Sequence, residues 1–102
     1  METVEQQLKD IIADNKIILF MKGNPHQPQC GFSARVVDIL KEHQTEFSYI
    51  DILLDPTVRA TLPSVSEWPT FPQLFVDGEL IGGCDIITEM HQAGELTEVL
   101  KS

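Results

Sequence analysis

Positive charge is scarce in this 102-residue chain. Seven lysines and arginines stand against sixteen aspartates and glutamates, a formal net charge of −9. A surface that grips phosphate needs clustered cations, so neither nucleic acid nor an anionic membrane face is an expected partner. Cysteine is scarcer still. Cys30 and Cys84 are too few for a secreted disulfide framework or for a self-contained zinc or iron–sulfur site. Long apolar runs are missing too: the longest drawn only from strongly apolar residues is Ile17-Ile18-Leu19-Phe20-Met21, far short of a membrane span. The polar, acidic start carries no signal-peptide pattern. The expected compartment is a reducing cytoplasm, where a cysteine that matters is reactive or binds metal. No repeat, low-complexity stretch or linker is visible, and 42% hydrophobic with 23% charged residues is ordinary globular composition. The length allows one domain, 1–102.

The charge is also uneven. Beyond Arg59 the only cation is Lys101, against seven acids. A small anionic ligand must therefore be held by local cations against an unfavourable overall field.

Periodicity supplies the elements. Val4, Leu8, Ile11 and Ile12 have helical spacing, which predicts a helix over 2–14. Lys16 to Lys22 reads as a buried strand, and Gly23 to Gln29, with a glycine and two prolines, as a loop. Val36, Val37, Ile39 and Leu40 mark a helical face over 34–43, and Phe47 to Ile52 alternates as a second strand. Asp55-Pro56 opens a short helix as cap and first residue, with Pro63 limiting it. Gln73–Val76 and Glu79–Ile81 flank Asp77-Gly78, a strong hairpin signal. Gly82-Gly83 breaks the strand, and 84–92 and 95–101 read as closing helices. A β-α-β unit followed by a hairpin and helices is the thioredoxin-like α/β arrangement, with a right-handed crossover between parallel strands.

Cys30 ends the loop and precedes a helix. A thiol there meets unpaired backbone N–H groups and the positive end of the helix dipole, both of which favour thiolate. Gly31 leaves little bulk beside the sulfur. Three residues on stands Ser33, and a hydroxyl cannot resolve a mixed disulfide. Any disulfide on Cys30 is resolved from outside or by distant Cys84, while the thiolate stays available as a soft metal ligand.

Met21-Lys22-Gly23, Cys30-Gly31-Phe32-Ser33, Trp68-Pro69-Thr70-Phe71-Pro72-Gln73 and Gly82-Gly83-Cys84-Asp85, in that order, closely resemble the monothiol, CGFS-type glutaredoxins in their short bacterial form. The resemblance spans about residues 15 to 96. It implies the glutaredoxin fold, a four-stranded mixed sheet flanked by about five helices. It also implies a site for glutathione, a tripeptide with a carboxylate at each end. Lys22 and Arg59 match the residues that hold the glycine-end carboxylate, although from the residues alone Lys22 reads equally as a solvated strand end and Arg59 more readily as a surface helix charge. Phe71-Pro72 matches the family's cis-proline, whose backbone pairs with extended glutathione; periodicity does not rule out a trans proline starting the strand. Gly83 allows close backbone approach, and the Cys84 and Asp85 N–H groups receive the γ-glutamyl end, with Asp85 facing its ammonium. The Cys84 thiol itself reads as packing, as does the Trp68 indole, which is also placed to flank the groove. His26, His43 and His91 share no metal-ligand spacing and are expected in solvent.

The resemblance further implies a [2Fe–2S] cluster bridging two chains. Such a cluster needs four ligands, and Cys30 from each of two chains with two glutathione thiolates closes the count. The expected function is iron–sulfur cluster assembly, storage or transfer by a cluster-bound homodimer that is monomeric without it. Apo iron–sulfur proteins and a BolA-type protein are the implied partners. The rivals are a glutathione-dependent thiol–disulfide oxidoreductase of weak activity, with Cys30 as its catalytic nucleophile, and a regulatory adaptor for the BolA-type partner.

Overall fold

In the computed structural model, which describes residues 3–101, helix α1 (Val4–Asp14) leads into strand β1 (Ile17–Met21). The Thr3 hydroxyl caps α1 by accepting the Gln6 N–H at 3.1 Å; the expected helical residue Glu2 lies outside the described residues. Two short strands, β2 (Gly23–Asn24) and β3 (Gln27–Pro28), precede helix α2 (Gly31–Glu42) and strand β4 (Ser48–Asp51). Helix α3 (Pro56–Ser66) is followed by the hairpin β5 (Gln73–Val76) and β6 (Glu79–Gly82) and by helices α4 (Cys84–Gln92) and α5 (Leu96–Lys101).

The main sheet has the order β4-β1-β5-β6. β1 runs parallel to β4, with Leu19 opposite Tyr49, and antiparallel to β5, with Leu19 opposite Leu74. The mixed four-stranded sheet and five helices are the thioredoxin-like arrangement expected from the sequence. All five residues of β1 are buried, because helices cover both sheet faces and a two-sided strand reads as a continuous apolar run. Successive side chains alternate between the faces. Ile17, Leu19 and Met21 join Val36, Leu40, Leu74, Ile87 and Leu96 on the α2, α4 and α5 side. Ile18 and Phe20 join Leu8, Ile12, Val58, Leu62 and Phe75 on the α1 and α3 side. There Phe20 and Phe75 meet edge to face, their centroids 5.6 Å apart.

Local chemistry fixes the connections. Asp77 and Gly78 both take positive φ, 51° and 83°, as a two-residue hairpin turn demands. The Asp55 side chain caps α3 by accepting the Val58 N–H at 3.2 Å, and Pro56 opens the helix. Three expectations need correction. The segment Gly23 to Gln29 is not a plain loop, because β2 and β3 pair within it. Helix α2 starts at Gly31 rather than Ala34, since the Cys30 carbonyl already accepts the Ala34 N–H at 2.9 Å. Pro63 does not limit α3, which runs on to Ser66. Pro63 removes one N–H bond and crowds the carbonyl four residues back, but buried Leu62 and partly buried Val65 keep the helix docked on the core.

Candidate functional site

The Cys30 end of the site is built by two elements meeting at Lys22. The Lys22 carbonyl accepts the Gln29 N–H at 2.9 Å, which closes the 23–29 excursion at its base. Its N–H donates to the Ser33 hydroxyl oxygen at 3.1 Å. Within the excursion the Asn24 carboxamide oxygen accepts the N–H groups of His26 and Gln27, each at 2.9 Å. Gly23 sits at φ +89°, and a Cβ there would lie 2.5 Å from the Gln27 carbonyl oxygen and 2.7 Å from the Gln29 nitrogen. Only glycine takes this conformation in this space. The Gly23 N–H donates to the Asp51 carboxylate at 3.0 Å, tying the excursion to β4. Gly31, by contrast, faces open space, so crowding at the sulfur does not dictate a glycine there.

Cys30 is the N-cap residue of α2, with extended backbone. The thiol closes no full cap hydrogen bond with the first turn. Partial burial works against its ionisation, but the N–H groups of Ser33 and Phe32, the Lys22 ammonium and the Ser33 hydroxyl outweigh that effect. The Cys30 pKa therefore lies below the ordinary thiol value. A thiolate is a nucleophile and a soft metal ligand, and a thiol is a poor one in both roles.

A groove of about 550 Å³ opens beside this helix end, and it gathers Lys22, Arg59, Phe71, Pro72, Gly83, Cys84 and Asp85. All seven residues expected to hold glutathione thus line one space. Cys30 is not among the residues lining it, but its neighbours Lys22 and Phe32 are. Arg59 and Asp85 are exposed, while Pro72 and Gly83 are buried. The Phe71–Pro72 bond is cis. Behind it, the Gln73 side-chain amide donates to the Trp68 and Thr70 carbonyls at 2.9 and 3.0 Å and fixes the segment between them.

Gly83 serves packing within the chain. A Cβ there would lie 3.2 Å from both the Pro72 carbonyl oxygen and Trp68 Nε1, so the close approach comes from the chain's own backbone and indole. Trp68 both packs and lines the groove, and its Nε1, like Gln73 Oε1, is buried without a hydrogen-bond partner among the described residues. Cys84 is half-buried against the core, with Sγ 3.9 Å from the Thr88 hydroxyl, in keeping with the packing role expected of it.

Sequence reasoning missed several residues. Phe32, Pro63, Pro69 and Thr70 line the groove as well. Phe32, 62% exposed beside Cys30, stands within a recognised motif, but only its exposure marks it as more than packing. Outside the groove, two of the three histidines are not simply solvated. His43 Nε2 lies 3.0 Å from His91 Nδ1, and His91 Nε2 lies 3.0 Å from a Glu42 carboxylate oxygen. The contact joins the ends of α2 and α4, a pairing 48 residues apart in sequence that no spacing rule reveals. His26 is exposed as expected.

Comparison with known proteins agrees with this geometry. Residues 17–81 match the glutaredoxin family. The chain is 55% identical over 101 residues to a protein of Haemophilus ducreyi named Glutaredoxin 4, covering 99% of this chain and 94% of that one. The solution structure of reduced poplar apo GrxS14 superimposes with a TM-score of 0.83 at 44% identity, covering 97% of this chain and 91% of that one. A buckwheat glutaredoxin–glutathione complex superimposes with a TM-score of 0.83 at 25% identity, covering 95% and 86%. With Ser33 where a second cysteine of a dithiol motif would stand, the chain belongs to the glutaredoxin family as a monothiol member.

Proposed function

We propose that the protein binds glutathione in the groove and carries a [2Fe–2S] cluster between two copies of itself, for assembly, storage or transfer to apo iron–sulfur proteins. The observation that carries the reading is the Cys30 sulfur at the start of α2, its ionisation favoured, next to a groove lined by the cations Lys22 and Arg59 and by the first turn of α4. Lys22 and Arg59 suit the glycine-end carboxylate of glutathione, and the first turn of α4 suits the γ-glutamyl carboxylate. The Asp85 carboxylate suits its ammonium. The buckwheat complex supports glutathione as the ligand.

The donor set supports sharing. Among the described residues no three His, Cys, Asp or Glu side chains gather to hold a metal, so a four-ligand cluster draws most of its ligands from outside one chain. Cys30 from each of two chains and the thiolates of two glutathiones complete the set. The cluster, when bound, supplies iron and sulfide as cargo, while the protein supplies one thiolate per chain and holds glutathione beside it. Both cysteines are free, which suits a reducing cytoplasm, and a BolA-type protein is the partner to test alongside apo iron–sulfur proteins.

The second reading is glutathione-dependent thiol–disulfide exchange, favoured by the same lowered Cys30 pKa. Cys30 would attack a glutathionylated substrate, and a second glutathione would release it. Anaerobic addition of iron, sulfide and glutathione tests the first reading. Visible absorption and a shift to dimer on sizing, both dependent on glutathione, are the expected result. Unchanged monomer with vigorous deglutathionylation would favour the second.

A further inference from the structure

His43 and His91 share no spacing in the sequence, and the fold brings them together. His43 is the C-cap of α2, and His91 stands in the last turn of α4. His43 Nε2 and His91 Nδ1 lie 3.0 Å apart, with the ring centroids 5.1 Å apart and the ring planes at 73°. The other nitrogen of His91, Nε2, lies 3.0 Å from a Glu42 carboxylate oxygen. An ionised carboxylate only accepts, so His91 Nε2 carries the proton between them. In neutral His91 the Nδ1 lone pair is then turned toward His43. A carboxylate behind an imidazole is the arrangement that fixes the tautomer and orientation of metal-binding histidines.

We propose that His43 and His91, backed by Glu42, form a two-imidazole site for a borderline-soft divalent transition-metal ion of the zinc class, the ions that imidazole suits. The spacing fits a shared ion. Two nitrogens each about 2.0–2.1 Å from one metal stand about 2.9–3.4 Å apart, for angles between a right angle and the tetrahedral one. The ion sits beside the line joining the nitrogens, and a small turn of both rings reaches it. His43 offers its Nε2 lone pair by moving that proton to Nδ1, so the neutral ring loses no proton overall. Glu42 holds the far nitrogen of His91 and is a supporting group, in agreement with the absence of a three-ligand cluster among the described residues. Water completes the coordination, since the His91 side chain is 27% exposed. The chain's net charge of −9 attracts cations, and the nearest lysine in sequence, Lys41, is engaged with the Pro25 carbonyl at 3.3 Å. The 12 residues of α2 put about 18 Å of helix between this site and Cys30. The site is therefore separate from the groove, and an ion in it ties together the far ends of the two helices whose first turns stand at the groove.

The test uses zinc chloride as the probe, added to the full chain, reduced with a phosphine, without iron or glutathione. Binding is read from the nitrogen-15 resonances of the histidine rings. These report each imidazole separately, so zinc held by Cys30 or Cys84 is not mistaken for zinc at this site. His43 Nε2 and His91 Nδ1 should shift together along one binding curve, while exposed His26 stays unmoved. Glu42→Gln, which keeps both ligands and removes the carboxylate behind His91, should weaken this binding about tenfold. His43→Gln should weaken it further. The first readout needs no variant and so holds whether or not the substituted chains fold. Rings that stay unmoved at millimolar zinc, a response from only one of the two, or an equal response from His26 would overturn the proposal. Unchanged affinity in folded Glu42→Gln would overturn the supporting role of the carboxylate.

Discussion

The two cysteines invite comparison, because each begins a helix and only one is chemically prepared. Cys30 is the N-cap of α2, whereas Cys84 is the first residue inside α4, with Gly83 as its cap. One position is enough to separate them. At the N-cap the side chain turns back over the first turn, where the N–H groups lack intrahelical partners, and Phe32 and Ser33 act on the Cys30 sulfur from there. One residue further on, the side chain swings away. Cys84 rests against the core, and its sulfur faces the Thr88 hydroxyl one turn ahead. What α4 offers the groove is its backbone N–H end and Asp85, and what α2 offers is a sulfur. In the function proposed above, the same helix-start physics serves a sulfur in one place and a ligand carboxylate in the other.

The sharpest way to break this comparison is to exchange the two thiols for hydroxyls. Cys30→Ser should abolish cluster formation altogether. Cys84→Ser keeps its backbone N–H and should retain most of the cluster under the same reconstitution. A stable cluster in Cys30→Ser would remove the proposed ligand, and a loss in folded Cys84→Ser would show the second thiol to be more than packing.

A next step distorts the Cys30 side alone. Gly23→Ala forces a Cβ against backbone at positive φ, costing about 2–4 kcal/mol from the left-handed conformation and crowding together. Urea denaturation should report that loss, and Cys30 labelling should slow as Lys22 shifts. An unchanged urea midpoint would mean that the base of the 23–29 excursion rearranges freely.

The cations give a smaller effect on the ligand. Lys22→Ala should weaken glutathione binding about tenfold, the order expected for a charge-assisted hydrogen bond. Arg59→Ala should cost less, because Arg59 is exposed and its field is screened by salt. Titration calorimetry at two salt concentrations would check both, and unchanged affinity in both variants would take them out of the site. Gly83→Ala acts on the Cys84 side. Its Cβ would press on the Pro72 carbonyl and the Trp68 indole at 3.2 Å, so about 1 kcal/mol of stability should be lost, with a modest fall in glutathione affinity. A thermal melt and the same calorimetry would show it.

The sheet, its strands and both closing helices were legible because apolar periodicity and turn chemistry agreed. The apolar run of β1 and the Asp77-Gly78 turn are cases in point. Less visible were features that depend on what approaches a residue. Nothing in the sequence says that β2 and β3 pair, since two-residue strands have no period. Pro63 signals a stop, yet burial of Leu62 beside it carries the helix through. The groove residues were found through the order of motifs rather than through any pattern of charge or hydrophobicity. In the sequence Ser33 shows only as the absence of a thiol, because its partner, the Lys22 N–H, is a backbone group eleven residues away. The His43–His91 contact is hidden because its two side chains stand 48 residues apart in sequence.

The central claim is that position at a helix start prepares Cys30 and leaves Cys84 to packing. Competitive alkylation of both cysteines in one unmodified, reduced protein tests it most directly, with each site quantified by mass spectrometry as the pH is lowered. The account predicts that Cys30 is labelled ahead of Cys84 at every pH, with its reactivity persisting below the ordinary thiol range. Equal rates at the two sites, or Cys84 labelled first, would contradict it.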